Sequence, residues 1–194
     1  MTKYLTLVAV GDRQSKKTEL LLRYTGGCKS RRHNEYVVPK YDQVFSVLKP
    51  MIWEIFRFQN NVQNIIVDRI PRTVYFMDTE SDDDYEILRR DAYEKADCIL
   101  LCYSIKAKST FKNVYRKWCL EVRKHTPFVP IVLIGTEAEA RGNNSDVVST
   151  EQGENLKLLI GAYAFIECSI ENFLGIDDIF IEAVRSTTYP KRKL

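Results

Sequence analysis

The stretch VAVGDRQSKKT, residues 8–18, decides how the rest of this chain is read. An apolar run stops at Gly11, and a polar loop then leads to Lys17, Thr18 and a leucine-rich segment. Such an order predicts a strand, a tight loop and a helix. The phosphate-binding pattern G-x-x-x-x-G-K-S/T belongs to this context, and Gly11, Lys17 and Thr18 stand at its spacing. The first loop, residues 11–18, is therefore predicted to be a phosphate-binding loop.

The second glycine of this pattern is replaced by Lys16. A phosphate loop works by wrapping backbone N–H groups around the anion, and a glycine lets that backbone approach closely. A long side chain at the same place predicts a loop that holds phosphate poorly. Lys16 could instead serve as an additional cation for phosphate, and this alternative stays open. The sequence indicates a nucleotide-binding architecture with a damaged nucleotide site.

Composition is that of a soluble globular protein. The 194 residues, 45% hydrophobic and 28% charged, suffice for one domain with an ordinary core. We expect this domain to span residues 1–187 and a short basic tail to follow at residues 188–194. The net charge of +3 is too small to indicate nucleic-acid binding. The basic cluster Lys29-Ser30-Arg31-Arg32-His33 is more typical of a solvated loop.

The cysteines and the termini both bear on the cellular compartment. Five cysteines are an odd number without metal-binding spacing. Cys98 and Cys102 lie in an apolar, strand-like run, which predicts buried, reduced thiols. The sequence has no signal peptide and no apolar run of membrane-spanning length. No cysteine follows Cys168 for prenylation and residue 2 is Thr2, so we expect no stable lipid anchor.

Strand-like runs alternate with helical patterns along most of the chain. The runs cover residues 5–10, 65–67, 74–77, 98–103, 131–134 and 164–167, and the helical patterns cover residues 17–24, 85–95, 109–124, 150–160 and 176–186. This alternation predicts βαβ units and a parallel sheet with helices on both faces. The turn Asp68-Arg69-Ile70-Pro71 is the exception, because it predicts an antiparallel edge hairpin. We expect an α/β fold with about six strands, mostly parallel.

Ligands of such a sheet bind in the crevice at the carboxyl ends of its strands. The loops that follow Val10, Met77, Ile134 and Glu167 are therefore expected to line one site. After the first loop, these loops read DTESDDDY from Asp78, GTEAEAR from Gly135 and CSI from Cys168.

The order of these loops resembles that of the small GTPases, and among them the Rho/Rac branch. The Rho-like features extend over about residues 4–186 and include Asp84-Tyr85-Glu86-Ile87-Leu88-Arg89, Lys117-Trp118, Glu121-Val122-Arg123-Lys124-His125, Thr150-Glu151-Gln152-Gly153 and Phe180-Ile181-Glu182-Ala183. The resemblance implies the P-loop small-GTPase fold, with GTP or GDP and Mg²⁺ as the ligands to test.

Within that resemblance, the first loop is the part that would wrap the phosphates. Lys17 would reach the β- and γ-phosphates, and Thr18 would bind Mg²⁺. Arg13 replaces a glycine that leaves room for an arginine finger and for the hydrolytic water. We expect weak or vestigial nucleotide contacts from the loop residues Gly11, Asp12, Arg13, Gln14, Ser15, Lys16, Lys17 and Thr18.

The acidic segment that begins at Asp78 resembles the second switch of the family. Asp78 would lie on the Mg²⁺ side of the nucleotide. Ser81 stands where a glycine N–H meets the γ-phosphate, and Asp82 stands where a glutamine orients the attacking water. An anion cannot polarise that water in the same way, so no catalytic residue is predicted. Asp82, Asp83 and Asp84 are instead typical of a helix start, where the helix dipole favours acidic side chains.

The base-reading motif of the family is N/T-K-x-D, and here it reads Thr136-Glu137-Ala138-Glu139. With Glu137 in place of the lysine, the stem that packs on the base is lost. Glu139 is longer than aspartate by one bond, about 1.5 Å. Charge-assisted hydrogen bonds need good geometry, so we expect guanine to be held poorly. Ser169 is kept, whereas Ile170 replaces an alanine whose N–H faces the base.

The largest departure is an insertion near switch I, roughly residues 43–57. The Mg²⁺-binding threonine of the family falls on Lys40 or on Phe56, depending on the side from which the sequences are aligned. Neither side chain is a ligand for a hard cation. The insertion is aromatic and apolar, with Trp53 and Phe56. It is expected either to pack as an extra edge strand or to form a partner-binding lid, and a retained exon is a third alternative.

Two functional hypotheses remain open at this point. The first is a catalytically dead Rho-like protein that binds effector or regulator proteins through its switch regions and the insertion. The second is a GTP-binding switch that retains nucleotide with little or no hydrolysis. In the second case, Thr18 and Asp78 would hold Mg²⁺. We expect a cytoplasmic monomer that reaches membranes through its partners.

Overall fold

The computed structural model describes residues 4–25, 62–142 and 146–188. The insertion expected at residues 43–57, the cluster Lys29-Ser30-Arg31-Arg32-His33 and residues 189–194 of the basic tail lie outside the described residues. The described part of the chain forms one six-stranded sheet in the order β2-β3-β1-β4-β5-β6. β2 pairs with β3 in the antiparallel sense, and the other neighbouring strands pair in parallel.

The elements alternate along the chain as the apolar runs predict. The strands are β1 (Leu5–Val10), β2 (Val62–Val67), β3 (Ile70–Asp78), β4 (Cys98–Ser104), β5 (Ile131–Thr136) and β6 (Ala164–Glu167). The helices are α1 (Lys17–Thr25), α2 (Glu86–Glu94), α3 (Lys108–Asn113), α4 (Leu120–His125), α5 (Thr150–Ile160) and α6 (Ile176–Thr188). A π-helical segment, Val114–Cys119, joins α3 to α4.

Each strand of the sheet centre is buried on both faces, which explains its continuous apolar run. Leu7 and Ala9 of β1 pack with α1 and α6, whereas Val8 and Val10 pack with the helices on the other face. Trp118 is fully buried at the centre of that second core. The α/β fold with a mostly parallel sheet, one antiparallel edge hairpin and helices on both faces is therefore confirmed.

The hairpin between β2 and β3 differs in detail from the expected turn. Ile70 and Pro71 belong to β3, where Pro71 stands opposite Ile66, so the turn consists of Asp68 and Arg69 alone. Both turn residues have positive φ, +51° and +67°. Two consecutive left-handed residues form the type of turn that matches the twist of a two-residue hairpin. The prediction of a longer turn was wrong because neither residue is a glycine or an asparagine.

The described cysteines are free and buried: Cys98, Cys102, Cys119 and Cys168. Burial raises the pKa of Cys98 and Cys168 to about 12, so both remain protonated thiols at neutral pH. The expectation of buried, reduced thiols at Cys98 and Cys102 is confirmed. Among the described residues, no helix combines the length and the apolar character needed to cross a membrane.

Candidate functional site

The loops at the carboxyl ends of the strands meet at one edge of the sheet. Thr136, the last residue of β5, is fully buried, and its hydroxyl lies 2.9 Å from the Ser15 carbonyl oxygen and 3.1 Å from the Tyr103 carbonyl oxygen. The Ala138 N–H donates to the Cys168 carbonyl at 3.1 Å. These contacts join the first loop, the end of β5 and the end of β6, as the parallel sheet predicts.

Gly11 is placed where the first loop passes against β4. Its φ is +148°, and a Cβ atom at this position would lie 2.4 Å from the Cys102 carbonyl oxygen. No side chain fits at that distance, so the glycine is needed for the close approach of two backbones. The start of the predicted phosphate-binding loop is therefore fixed by packing.

Lys16 adopts the conformation that a glycine would adopt at the second glycine position. Its φ is +61° and its ψ is +21°, in the left-handed region. Its Nζ lies 3.2 Å from Glu19 Oε1, and both side chains are partly exposed. The backbone therefore keeps a left-handed turn, and the side chain is drawn to α1. The cost is backbone strain in a residue that has a Cβ atom. The expectation that Lys16 makes the loop hold phosphate poorly stays a prediction.

Lys17 and Ser81 form a short chain of hydrogen bonds with Gly11. Lys17 is 4% exposed, and its Nζ donates to Ser81 Oγ at 2.8 Å. Ser81 Oγ in turn donates to the Gly11 carbonyl at 2.9 Å. The start of the acidic segment is thereby fixed to the first loop through the Ser81 hydroxyl.

Thr18 and Asp78 lie together, as the resemblance to the small GTPases implies. The Thr18 hydroxyl donates to Asp78 Oδ2 at 2.5 Å. Hydroxyl and carboxylate oxygens are ligands that Mg²⁺ accepts. The buried Lys17 lies next to Thr18 in the first turn of α1. These residues fit a phosphate with Mg²⁺. Elsewhere in the described ranges, no group of three or more His, Cys, Asp or Glu side chains forms a metal site.

Asp12 is held by two side chains, one from the end of α3 and one from the π-helical segment that follows it. Trp118 Nε1 donates to Asp12 Oδ1 at 2.9 Å, and Asn113 Nδ2 donates to Asp12 Oδ2 at 2.8 Å. Residues five apart are separated by about 140° around an α-helix. A π-helix, with its i→i+5 hydrogen bonds, turns less per residue and so reduces this separation. The segment Val114–Cys119 therefore lets both donors reach one carboxylate.

Three other side chains of the first loop have no hydrogen-bond partner within the described ranges. Arg13 and Gln14 are exposed, and neither side chain makes a hydrogen bond or an ion pair with another described residue. Ser15 is fully buried, and its hydroxyl has no hydrogen-bond partner within the described ranges.

The acidic segment after β3 begins a helix, in agreement with its composition. Asp82 is exposed, and its side chain accepts a hydrogen bond from the Asp84 N–H at 3.2 Å, which caps the turn Asp83–Tyr85. Lys117 Nζ lies 2.5 Å from Asp83 Oδ1 and lowers the pKa of that carboxyl. The side chains of Asp82 and Asp83 thus have structural roles at the helix start.

Arg89 of α2 joins the acidic segment to α4. It is 2% exposed, and its guanidinium forms a bidentate pair with Glu121 at 2.7 and 3.0 Å. Its third nitrogen donates to the Glu80 carbonyl at 3.1 Å and also to the Asp82 carbonyl. The Tyr93 hydroxyl donates to the same carboxylate of Glu121 at 2.7 Å. A buried, paired guanidinium therefore fixes the position of the acidic segment.

The loop at residues 136–139 carries two carboxylates, Glu137 and Glu139. Glu137 has a φ of +60°, and its carboxylate accepts a hydrogen bond from the Ser104 hydroxyl at 2.5 Å. Glu139 is exposed, and its side chain makes no hydrogen bond or ion pair with another described residue. The two carboxylates stand where the family has a lysine and an aspartate.

The loop after β6 completes this half of the site. The Ser169 hydroxyl accepts a hydrogen bond from the Asn172 N–H at 3.1 Å, and the Ser169 backbone pairs with Leu174. Ile170 is half-buried and packs against the core under α1 and α6. The expectation that guanine is held poorly by this half of the site stays a prediction.

Ser104 and Asn113 were not singled out by the sequence, and the pairing of Arg89 with Glu121 was not expected. Ser104 ends β4 at the same sheet edge as the other loops, so the rule on carboxyl ends of strands applies to it as well. Asn113 carries no comparable signal, because its position opposite Asp12 depends on the π-helical segment. For Arg89, the nearby Glu121 is too distant in sequence for a local pattern to pair them.

Comparison with known proteins agrees with this fold. The family model described as the Ras family matches residues 6–189. Ras-like GTP-binding protein RhoL of Drosophila melanogaster is 33% identical over 183 residues, which cover 94% of this chain and 86% of that protein. The chain therefore belongs to the Ras family of small GTPases.

Proposed function

We propose that this protein is a Rho-like pseudo-GTPase that acts as a protein-binding module in Rho-type signalling to the actin cytoskeleton, cell shape or trafficking. The observation that carries the proposal is the position of Asp82, which stands at the usual glutamine position. Its side chain caps a helix turn and its carbonyl is held by Arg89. An anion held in this way does not orient or polarise a hydrolytic water.

Two further features support the loss of ordinary nucleotide chemistry. Arg13 carries a long, exposed side chain at a position where the family has a glycine. At the base-reading loop, Glu137 and Glu139 replace a lysine and an aspartate. Arg13 fills room that the family leaves for an arginine finger and the hydrolytic water, and the two glutamates replace residues that contact the base. Together these replacements favour a role in binding proteins.

The surface of the acidic segment supports a partner-binding role. Ile87 and Leu88 of α2 are 67% and 64% exposed, and Tyr85 beside them is 44% exposed. Adjacent exposed apolar side chains are typical of surfaces that bind other proteins. We propose that effectors or regulators contact this surface, together with the switch I insertion.

A second candidate function is a GTP-binding switch with little or no hydrolysis. It is favoured by the preserved phosphate side of the site, where Lys16 keeps a left-handed backbone and Thr18 lies next to Asp78. In that case, Lys17, Thr18 and Asp78 would hold the phosphates and Mg²⁺, while the base would be held weakly.

The experiment that separates the two candidates is the nucleotide content of the purified protein, read by chromatography after denaturation. A pseudo-GTPase carries no guanine nucleotide, whereas the non-hydrolysing switch carries close to one equivalent. For both candidates, we expect single-turnover phosphate release equal to that of a no-protein control. Release above that control would contradict both candidates. The variant Asp82→Gln measures how much of the loss depends on that position.

A further inference from the structure

We infer that the hydroxyl of Ser81 is an internal ligand of Lys17 that competes with phosphate for the first loop. The inference rests on the proposed function, in which nucleotide contacts are weak or absent. It adds a named residue and a mechanism for that weakness. Ser81 would hold the acidic segment closed on the first loop and set the affinity of the loop for anions.

The first support is the state of the Lys17 ammonium group. Lys17 is 4% exposed, and among the described residues its Nζ has one hydrogen-bond partner, the neutral Ser81 hydroxyl at 2.8 Å. A buried ammonium is stabilised more by an anionic oxygen than by a hydroxyl, because two opposite full charges attract each other more strongly than a charge attracts a neutral dipole. Lys17 therefore retains the capacity to bind an anion, and Ser81 occupies one of its donors.

The second support is that Ser81 also bonds to the loop itself. Its hydroxyl donates to the Gly11 carbonyl at 2.9 Å while it accepts from Lys17. One hydroxyl thus satisfies a donor on one side of the loop and an acceptor on the other. A glycine in the same place could make neither bond. The two bonds together oppose the displacement of Ser81 by a phosphate oxygen.

The third support is that the backbone around Ser81 is held from the side away from the loop. Lys117 Nζ donates to the Ser81 carbonyl at 3.3 Å and pairs with Asp83 at 2.5 Å. Arg89 donates to the carbonyl of Glu80 at 3.1 Å. The Ser81 side chain is therefore held close to Lys17 by contacts that do not involve any ligand.

The test compares Ser81→Ala with Ser81→Gly and with the wild-type protein. The probes are a fluorescent GTP analogue and inorganic pyrophosphate, each titrated in the presence of Mg²⁺. One neutral hydrogen bond changes an equilibrium by roughly three- to tenfold, so we expect both variants to bind the probes about three- to tenfold more tightly. If Ser81→Gly alone binds more tightly, the cause is backbone freedom or the Cβ atom, and the inference is overturned. Binding equal to or weaker than wild type in Ser81→Ala also overturns it.

A second measurement does not depend on nucleotide binding. Amide hydrogen exchange of residues 79–85, in protein freed of nucleotide, should be at least severalfold faster in Ser81→Ala than in wild type. The matched control is Ser186→Ala, which removes another buried serine hydroxyl, one that donates to the Ala183 carbonyl at 2.7 Å in α6. Exchange of residues 79–85 should be unchanged in that control.

The inference requires both results, faster exchange and tighter binding in Ser81→Ala. If no variant binds either probe, Ser81 does not set the affinity of the loop, and the inference is overturned. Unchanged exchange in Ser81→Ala overturns it as well. Phosphate release by the wild-type protein would contradict the proposed function and leave this test intact. The two can therefore fail separately.

Discussion

The two halves of the site have diverged in different ways. The phosphate half, residues 11–18 with Asp78 and Ser81, keeps its backbone turns and the contact between Thr18 and Asp78. The base half, residues 136–139 with Ser169 and Ile170, keeps its anchor to the first loop but presents carboxylates where the family has a lysine and an aspartate.

This difference separates what the fold requires from what a ligand requires. Gly11 and Thr136 are buried against other backbone atoms, so any change in them would disturb the packing of the sheet edge. Glu139 is exposed and makes no hydrogen bond or ion pair with another described residue. Gly11 and Thr136 are thus required by the fold, whereas Glu139 is held by no such contact.

The largest predicted effect tests whether packing fixes the phosphate half. Gly11→Ala places a Cβ atom 2.4 Å from the Cys102 carbonyl oxygen, at a φ of +148°. We expect a loss of about 3–5 kcal/mol in the free energy of unfolding, from steric overlap and backbone strain together. Urea denaturation followed by circular dichroism measures it.

The matched control for this substitution is Gly161→Ala. Gly161 also has a positive φ, +62°, but no atom lies within 4 Å of the added Cβ position. Its cost should be about 1–2 kcal/mol, from backbone strain alone. Equal costs at the two glycines would mean that packing does not fix the loop, and the comparison between the halves would fail.

The fold was predictable from the sequence because strong apolar runs mark the buried strands. β1 and β6 match the predicted ranges, and α5 begins and ends as expected. A capping box at Ser149 and Gln152 explains the clear start of α5. β2 extends three residues before its predicted start, because Gln63 and Asn64 are polar and give an edge strand no apolar signal.

The geometry of the site was less predictable for two physical reasons. The left-handed conformation of Lys16 is set by the surrounding loop, against the preference of a residue with a Cβ atom. The clamp on Asp12 depends on a π-helical segment, and helical periodicity does not distinguish i+4 from i+5 spacing over one turn. The sequence placed Lys16 and Asp12 in the first loop, whereas their conformation and contacts are seen only in the structure.

The second prediction tests whether the two carboxylates of the base half limit its preference for guanine. Glu137→Lys combined with Glu139→Asp restores the two residue types that the family uses to read guanine. We expect the ratio of GTP to ATP affinity to rise about tenfold, which corresponds to about 1.4 kcal/mol. Competition of each nucleotide against a fluorescent analogue gives this ratio.

The control for this pair is Glu137→Gln with Glu139→Gln, which removes both negative charges without restoring either family residue. It should tighten the binding of both nucleotides by reducing repulsion of the phosphates, and it should leave their ratio unchanged. An equal rise in the ratio for the control would show that charge alone limits the base half.

The smallest predicted effect concerns Lys16, where the left-handed turn of the phosphate half strains the backbone. A residue with a Cβ atom in the left-handed conformation is strained by about 1–2 kcal/mol, whereas glycine makes the unfolded chain more flexible and offsets about 0.4–1 kcal/mol of the gain. We therefore expect Lys16→Gly to raise the free energy of unfolding by about 0.5–1 kcal/mol. Urea denaturation at an unchanged slope measures it.

The control variant for this last prediction is Lys16→Ala, which keeps the strain and loses the ion pair with Glu19. That pair is partly exposed, at 42% and 41% of the two side chains, and is worth at most about 0.5 kcal/mol. Lys16→Ala should consequently match the wild-type stability or fall slightly below it. If alanine stabilises the protein as much as glycine does, the lysine side chain and not the backbone is the source of the cost. In that case, weaker binding of a fluorescent guanine nucleotide by both variants at low salt would identify Lys16 as a cation for phosphate.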